Sequence, residues 1–496
     1  MTLLSGSDPI LDCAAAAAFE QNRFGGNEAS QWSAMRQAGI AVADELQRDL
    51  RAINVTPDQA GRVLVLVGKG HNGGDALLAA ARLLARTTWL IEVGFVFGQN
   101  KLRPLALAAW RELQHTGGAD RVRVIRRAQV AASTYHVLID GVFGFQFRPP
   151  LSDEVTAWFA AVAEASVQFK AAVDLPSGLD APGAFVADAT YATGIFKMPL
   201  LDCAGAGRLR YLDLGFFGAD APGNQRVLKT EVLDPLRQLR PARCDKRSFG
   251  QLAVIGGSAS YPGAVGLSVA AALLSGVGNV MALVPESQAT AFAVRWPEAM
   301  WVGCPETDEG GIAMDAGFTI RKHLQRATAL LIGPGLGREL ETLALITELI
   351  RDLEIPLVLD ADALQPDIVR AGSAPRILTP HAGEYARIGL AWDDLPTHSA
   401  MVRKGPITRI EYQDVSYHAI EGGPVLARGG SGDMLAGLIG GRLAAAPDHP
   451  GDAAVQGAFW HGRAARLLAE RSGEVAVRNS ALLAELNPAL RERTLA

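Results

Sequence analysis

Residues 62–75 read RVLVLVGKGHNGGD, and the ten that follow, ALLAAARLLA at 76–85, are rich in Ala and Leu. A β-branched apolar run that ends on glycines and passes straight into a helical composition is one strand–turn–helix unit of a sheet covered on both faces. The same grammar recurs downstream. HVLID at 136–140 and KAAVD at 170–174 are followed, after a break, by QLAVI at 251–255, ALLI at 329–332, PLVLD at 356–360 and RILT at 376–379. This alternation predicts an α/β chain with mostly parallel sheets, and it puts the functional loops at strand ends marked by Gly, Asp or Thr.

The chain has 496 residues, enough for two or three domains of ordinary size. Lys+Arg 47 against Asp+Glu 52 gives a net charge of −5, with no basic block to neutralise phosphates, so nucleic-acid binding is not expected. The N-terminal apolar stretch carries Asp8 and Asp12 with no basic region before it, unlike a signal peptide, and no apolar run reaches the ~18–20 residues of a membrane span. Cys13, Cys203, Cys244 and Cys304 are far apart, which supports neither a disulfide framework nor a zinc site and suits the cytoplasm. A polar, proline-marked stretch from Leu228 to Phe249 divides the chain, giving a first domain at 1–230, a linker at 231–245 and a second domain at 246–496.

In the first half, Gly68, Gly70 and Gly73 satisfy G-x-G-x-x-G, a pattern that lets backbone N–H groups approach a phosphate at a helix start. A dinucleotide fold also wants an acid at the end of the next strand, and Glu92 instead opens its strand. The plain structural reading is a tight turn capped by Asp75. Asp140 opens DGVFGFQFRPP and Asp174 opens DLPSGLD, so two carboxylates and the Ser177 hydroxyl can converge near Asn72. Such an oxygen-rich cluster suits a hard cation or acid/base chemistry.

In the second half, ARGGSGDMLAG at 427–437 leads into a regular helix. Glycines there present N–H donors to an anion, and Asp433 is placed to take a proton from a hydroxyl attacking a phosphoryl group. It is not a P-loop, and a flexible glycine linker fits poorly with so regular a helix. Other strand ends supply partners: GGSASYPGA at 256–264, GPGLG at 333–337, DADAL at 360–364 and TPHAGE at 379–384. His381 reads as a ligand contact and His461 as helix packing, while Asp360, Asp362 and Glu384 are candidates for magnesium or water-mediated phosphate contact.

GKGHNGGD, DGVFG, VDLPSGLD, Lys197 and the upstream AMRQAG at 34–39 together resemble the NAD(P)H-hydrate epimerase domain. The resemblance implies a Rossmann-like three-layer domain that interconverts the R and S epimers of hydrated NADH and NADPH. It implies potassium held by Asn72, Asp140 and Ser177, and a substrate lined by His71, Asn72, Gly73, Gly74 and Asp75 and by Gly144, Phe145, Gln146, Phe147, Arg148, Pro149 and Pro150. Asp174 would contact the hydrated nicotinamide as acid/base. This chain has His71 where the family usually has a second asparagine, and Phe145 and Gln146 in place of Thr and Gly.

The second motif set resembles the NAD(P)H-hydrate dehydratase domain of the ribokinase-like superfamily. That resemblance implies dehydration of the S hydrate driven by ADP with magnesium, releasing AMP and phosphate. Ala264, Gly335, His381 and Asp433 would contact the hydrate, with Asp433 as catalytic base; Lys404, Gly405, Pro406, Ile407, Thr408 and Gly432 would contact the nucleotide. Between Gly389 and Val402 the chain is shorter than the family pattern, so MVRKGPIT must supply both a strand and a turn. Small-molecule substrates and a homo-oligomer are expected, without nucleic acid or membrane. The alternatives are a ribokinase-like small-molecule kinase and, for the first half, a degenerate, non-catalytic binding module.

Overall fold

The apolar runs form strands because helices cover both their sides. Val63 to Val67 are each at most 1 % exposed, and Ala329 to Ile332 and Leu357 to Leu359 are fully buried. The computed structural model describes residues 3–218, 220–390 and 392–492. The chain divides into two compact units, one comprising Pro9–Ala221 with Glu470–Gly473, the other Pro222–Ala469 with the N-terminal residues up to Asp8 and the C-terminal residues from Glu474. Both have the expected α/β architecture.

In the first unit a seven-stranded sheet runs in the order Val122–Val124, Leu90–Phe95, Arg62–Val67, Thr134–Gly141, Ser166–Val173, Ala189–Thr193, Arg208–Leu212. Every neighbouring pair is parallel. Helix His71–Arg86 follows the first glycine turn, and Ala76 to Ala81 are buried between the sheet and the neighbouring helices Glu28–Arg51 and Pro104–Arg121. Gly68 is required there, since a Cβ would fall 1.9 Å from the Val142 carbonyl oxygen. Gly70 is the N-cap, so Asp75 is not the cap that the turn reading gave it but lies inside the helix.

The second unit's sheet runs Met300–Cys304, Asn279–Pro285, Gln251–Ile255, Ala329–Ile332, Leu357–Leu359, Arg376–Leu378 and Ala400–Arg403 in parallel. Thr408–Tyr412 then turns back antiparallel on it, followed by Val415–Ala419. Among the described residues the short 389–402 stretch forms the 3-10 turn Trp392–Asp394 before Ala400–Arg403, and MVRKGPIT supplies the end of that strand and the turn after it.

The division of the chain falls at Pro222, ahead of the expected 231–245 linker. Gln225–Leu228 pairs in parallel with Val415–Ala419, and Val232 and Leu233 join the second unit's core. Arg226, fully buried, donates to the Ser7 hydroxyl at 2.8 Å and to the Ser7 carbonyl at 2.6 Å, and Lys229 pairs with Asp8 at 3.2 Å. The Leu4 N–H donates to the Tyr417 hydroxyl at 3.0 Å. Residues 3–8 are thus part of the second unit, and the charged stretch near Pro241 is one of its surface loops.

Candidate active sites

The strand ends of the first unit open onto a cavity of about 620 Å³. His71, Asn72 and Asp75 from the start of helix His71–Arg86 line it, with Gly144 to Arg148, Pro150, Asp174 and Lys197. Gly73, Gly74 and Pro149 from the expected substrate set do not; Gly73 and Gly74 are buried under the helix start. Beside the cavity lies a polar knot. The Ser177 hydroxyl donates to Asp140 Oδ1 at 2.7 Å, and the Ser177 N–H donates to Oδ2 at 2.8 Å. The Val142 N–H adds a third donor at 3.1 Å. Asn72 Nδ2 donates to the Phe143 carbonyl at 2.7 Å, and the Phe143 N–H to Ser177 Oγ at 2.7 Å. These bonds bring Asn72, Asp140 and Ser177 together. Asp140 is fully buried. Burial lifts its carboxyl to about 6 against the pull of the Ser177 and Val142 donors.

Asp174 stands at the end of Ser166–Val173 with φ 66°. Its carboxylate forms an ion pair with Lys197, the two side chains being 7 % and 1 % exposed. The Phe145 ring lies 5.3 Å from the Lys197 ammonium. Glu92 is not a ribose holder: it accepts from Arg62 at 2.7 Å and from the Tyr135 hydroxyl at 2.9 Å. The sequence reading missed Glu20, Arg103 and Lys69, all on the cavity wall. Glu20 had a visible signal, as the one acidic residue in the Ala-rich helix Cys13–Phe24. Arg103 follows a 3-10 turn at Gln99–Lys101 that composition showed only as a polar turn.

In the second unit the glycine run opens helix Ser431–Ala445, with Gly430 at φ 91° as its N-cap. Asn479 holds the approach by donating to the Gly429 carbonyl at 2.6 Å, and the Ser268 hydroxyl donates to the Asp433 carbonyl at 2.8 Å. The Asp433 carboxylate itself has no hydrogen bond or ion pair among the described residues. Burial, with Asp360 beside it, raises Asp433 to about 6 against the pull of Lys404.

Lys404, at the end of Ala400–Arg403, is the hub of this site. Its ammonium pairs with Asp360 at 2.8 Å and lies 3.8 Å from Glu384. Burial opposes its charge, but Asp360 and Glu384 outweigh that and hold it above the ordinary lysine range. Its ammonium is 3.2 Å from where a Cβ on Gly432 would stand, so the lysine and the helix start face each other. Asp360 also accepts from the Thr379 hydroxyl at 2.6 Å, a contact the sequence did not reveal.

His381 caps Ala382–Ile388, its Nδ1 accepting from the Gly383 N–H at 3.0 Å, and stands 3.3 Å from Glu384 through Nε2. Gly335 sits against Ala264, whose Cβ would be 3.0 Å from a Cβ on the glycine. Gly405 and Pro406 are exposed, with Ile407 and Thr408 half-buried beyond Lys404. His461 is buried within helix Pro450–Ser472, as its packing reading expects.

A family model described as NAD(P)H-hydrate dehydratase matches residues 252–488, and one described as YjeF-related protein N-terminus matches residues 33–198. The bifunctional NAD(P)H-hydrate repair enzyme of Gloeobacter violaceus is 34% identical, covering 92% of this chain and 93% of that protein. The enzyme of the same name from Moorella thermoacetica is 31% identical over 90% of each chain. The chain belongs to this repair-enzyme family. A solved structure of the ADP/ATP-dependent NAD(P)H-hydrate dehydratase of Bacillus subtilis, co-crystallised with ATP and Mg2+, is also similar, with a TM-score of 0.43 and 26% identity over 51% of this chain and 92% of that one. The two family matches fall one in each unit, and each contains one of the two sites.

Proposed function

We propose that this enzyme repairs hydrated NADH and NADPH, with an epimerase site in the first unit and a nucleotide-driven dehydratase site in the second. The observation that carries the reading is family membership across both units, each with its own cluster of strand-end groups. Purified protein given the S hydrate and ADP is expected to yield reduced cofactor, AMP and phosphate in equal amounts. Consumption of ATP with a sugar or vitamin alcohol, and none of either nucleotide with a hydrate, would instead establish the small-molecule kinase.

For dehydration, Asp433 acts as the base. Its carboxylate is unpaired and borders a helix start whose N–H groups favour an anion. It takes the proton of the hydrate hydroxyl as that oxygen attacks the β-phosphoryl group of ADP and AMP leaves; the C–O bond then breaks as phosphate departs, the neighbouring ring carbon gives up a proton, and the dihydronicotinamide is restored. Ala264, Gly335 and His381 border the hydrate, and Gly432 with residues 404–408 the nucleotide. Lys404 holds Asp360 and Glu384 in place and keeps positive charge beside the phosphoryl group. Asp360, Asp362 and Glu384 do not fit a dedicated magnesium cage. Each is engaged by Lys404, by Arg338 and the Gly337 N–H, or by the His381 N–H. Among the described residues no group of three or more His, Cys, Asp or Glu side chains is arranged to hold a metal.

For epimerisation, the cavity holds the nicotinamide end of the hydrate with Asp174 at its edge. The Asn72 amide oxygen, the Asp140 carboxylate and the Ser177 hydroxyl offer oxygen ligands, and among the described residues no cationic side chain pairs with the buried Asp140, which fits potassium. Asn72, Asp140 and Ser177 would hold that ion, and its charge would offset the buried carboxylate and fix the loop from Gly141 to Pro150.

A further inference from the structure

Glu20, on helix Cys13–Phe24, belongs to neither the potassium set nor the substrate loops, yet its side chain lines the first cavity. It has no hydrogen bond or ion pair among the described residues, whereas Asp174 is held by Lys197. Burial, with Asp174 adding to it and Lys197 opposing, raises Glu20 to about 7, so the group both gives and takes a proton at neutral pH. Asp75 also lines the cavity, and burial together with Asp174 and Glu20 holds that carboxyl well above its ordinary range. The remaining titratable wall is His71, lowered by burial and by Arg103, with the basic Lys69 and Arg148.

The hydrate carries its hydroxyl on the carbon next to the ring nitrogen. That carbon can be inverted by opening the ring at its C–N bond or by breaking and re-forming its C–O bond, and an acid on the cavity wall serves the second route. A proton delivered to the hydroxyl lets water leave while the nitrogen lone pair forms a C=N+ bond. Water then adds to the opposite face, the C=N pair returns to nitrogen, and the extra proton goes back to the donor. No oxidant or reductant is needed. Resting on the epimerase reading above, we propose that Glu20 is the group that delivers and recovers this proton, with the carboxylate of the Asp174–Lys197 pair bordering the cationic ring.

The test is epimerisation by the full chain, followed by NMR exchange between separated R and S hydrates without nucleotide, for the unaltered enzyme, Glu20→Gln and Glu20→Asp. Glu20→Gln is expected to lower kcat by about 100-fold or more with little change in KM, and to abolish the loss of rate as pH rises through about 7. Glu20→Asp is expected to keep that limb at an intermediate rate. ADP-driven dehydration of the S hydrate, retained by both variants, reports that the chain is folded. Epimerisation by Glu20→Gln within about threefold of the unaltered enzyme, or a change confined to KM, would overturn the proposal. Failure of the unaltered enzyme to epimerise would overturn the epimerase reading and this proposal with it.

Discussion

In the first unit the strand-end carboxylate Asp174 is tied to Lys197, whereas in the second Asp433 stands unpaired and the neighbouring Lys404 is bound to Asp360 and Glu384. Each site has one ion-paired lysine, Lys197 buried and Lys404 partly buried, and what that lysine holds decides what the nearest carboxylate can do. A paired carboxylate is an electrostatic fixture for a cationic ring. An unpaired one, lifted by burial, can accept a proton.

The two sites differ most at Asp433. Asp433→Asn is expected to reduce ADP-driven dehydration by about 10²–10⁴-fold while leaving epimerisation unchanged; loss of both activities in a folded chain would show that the sites are not independent. Lys197→Met leaves Asp174 buried without its partner. Breaking such a pair costs about 3–5 kcal/mol, seen as a lower denaturant midpoint for the first unit, and Asp174→Leu in the same chain should recover much of it. An unchanged midpoint in Lys197→Met would mean that Asp174 is not confined by the lysine.

The pH profile sharpens the same contrast. Asp433 must be ionised to accept a proton and titrates near 6, so dehydration is expected to fall as pH drops through about 6. Lys404 opposes the rise of that carboxyl, so Lys404→Met is expected to move the acid limb to higher pH. A limb that stays in place would detach Lys404 from Asp433. The smallest effect belongs to Phe145→Thr, which removes a ring 5.3 Å from Lys197. A cation–π contact is worth about 0.5–2 kcal/mol, so epimerisation should change by less than about 30-fold in kcat/KM.

Strand ends were legible in the sequence because parallel strands covered on both faces read as unbroken apolar runs, and the glycines after them mark where backbone passes backbone. The domain boundary was not, because it depends on pairing between distant segments. Arg226 looks like any polar residue before a charged stretch until Ser7 is placed on its guanidinium, and Gln225–Leu228 becomes a strand only against Ser416 to His418. The same holds for Lys404. Its turn suggested a nucleotide contact, while its ion pair with Asp360 spans 44 residues of sequence and exists only once Leu357–Leu359, Arg376–Leu378 and Ala400–Arg403 lie side by side. Glu20 lay in plain view, but only the cavity gives a single acid in an alanine helix a meaning.

On the proposed function, one chain carries two working sites with separate chemistry. This is tested most directly by giving the full-length enzyme an equal mixture of R and S hydrates with ADP, magnesium and potassium, and following recovery of reduced cofactor to its end. The entire pool is expected to be recovered, the R hydrate draining through the S form faster than it epimerises without enzyme. Recovery that stops once the S hydrate is consumed, or that never begins, would contradict it.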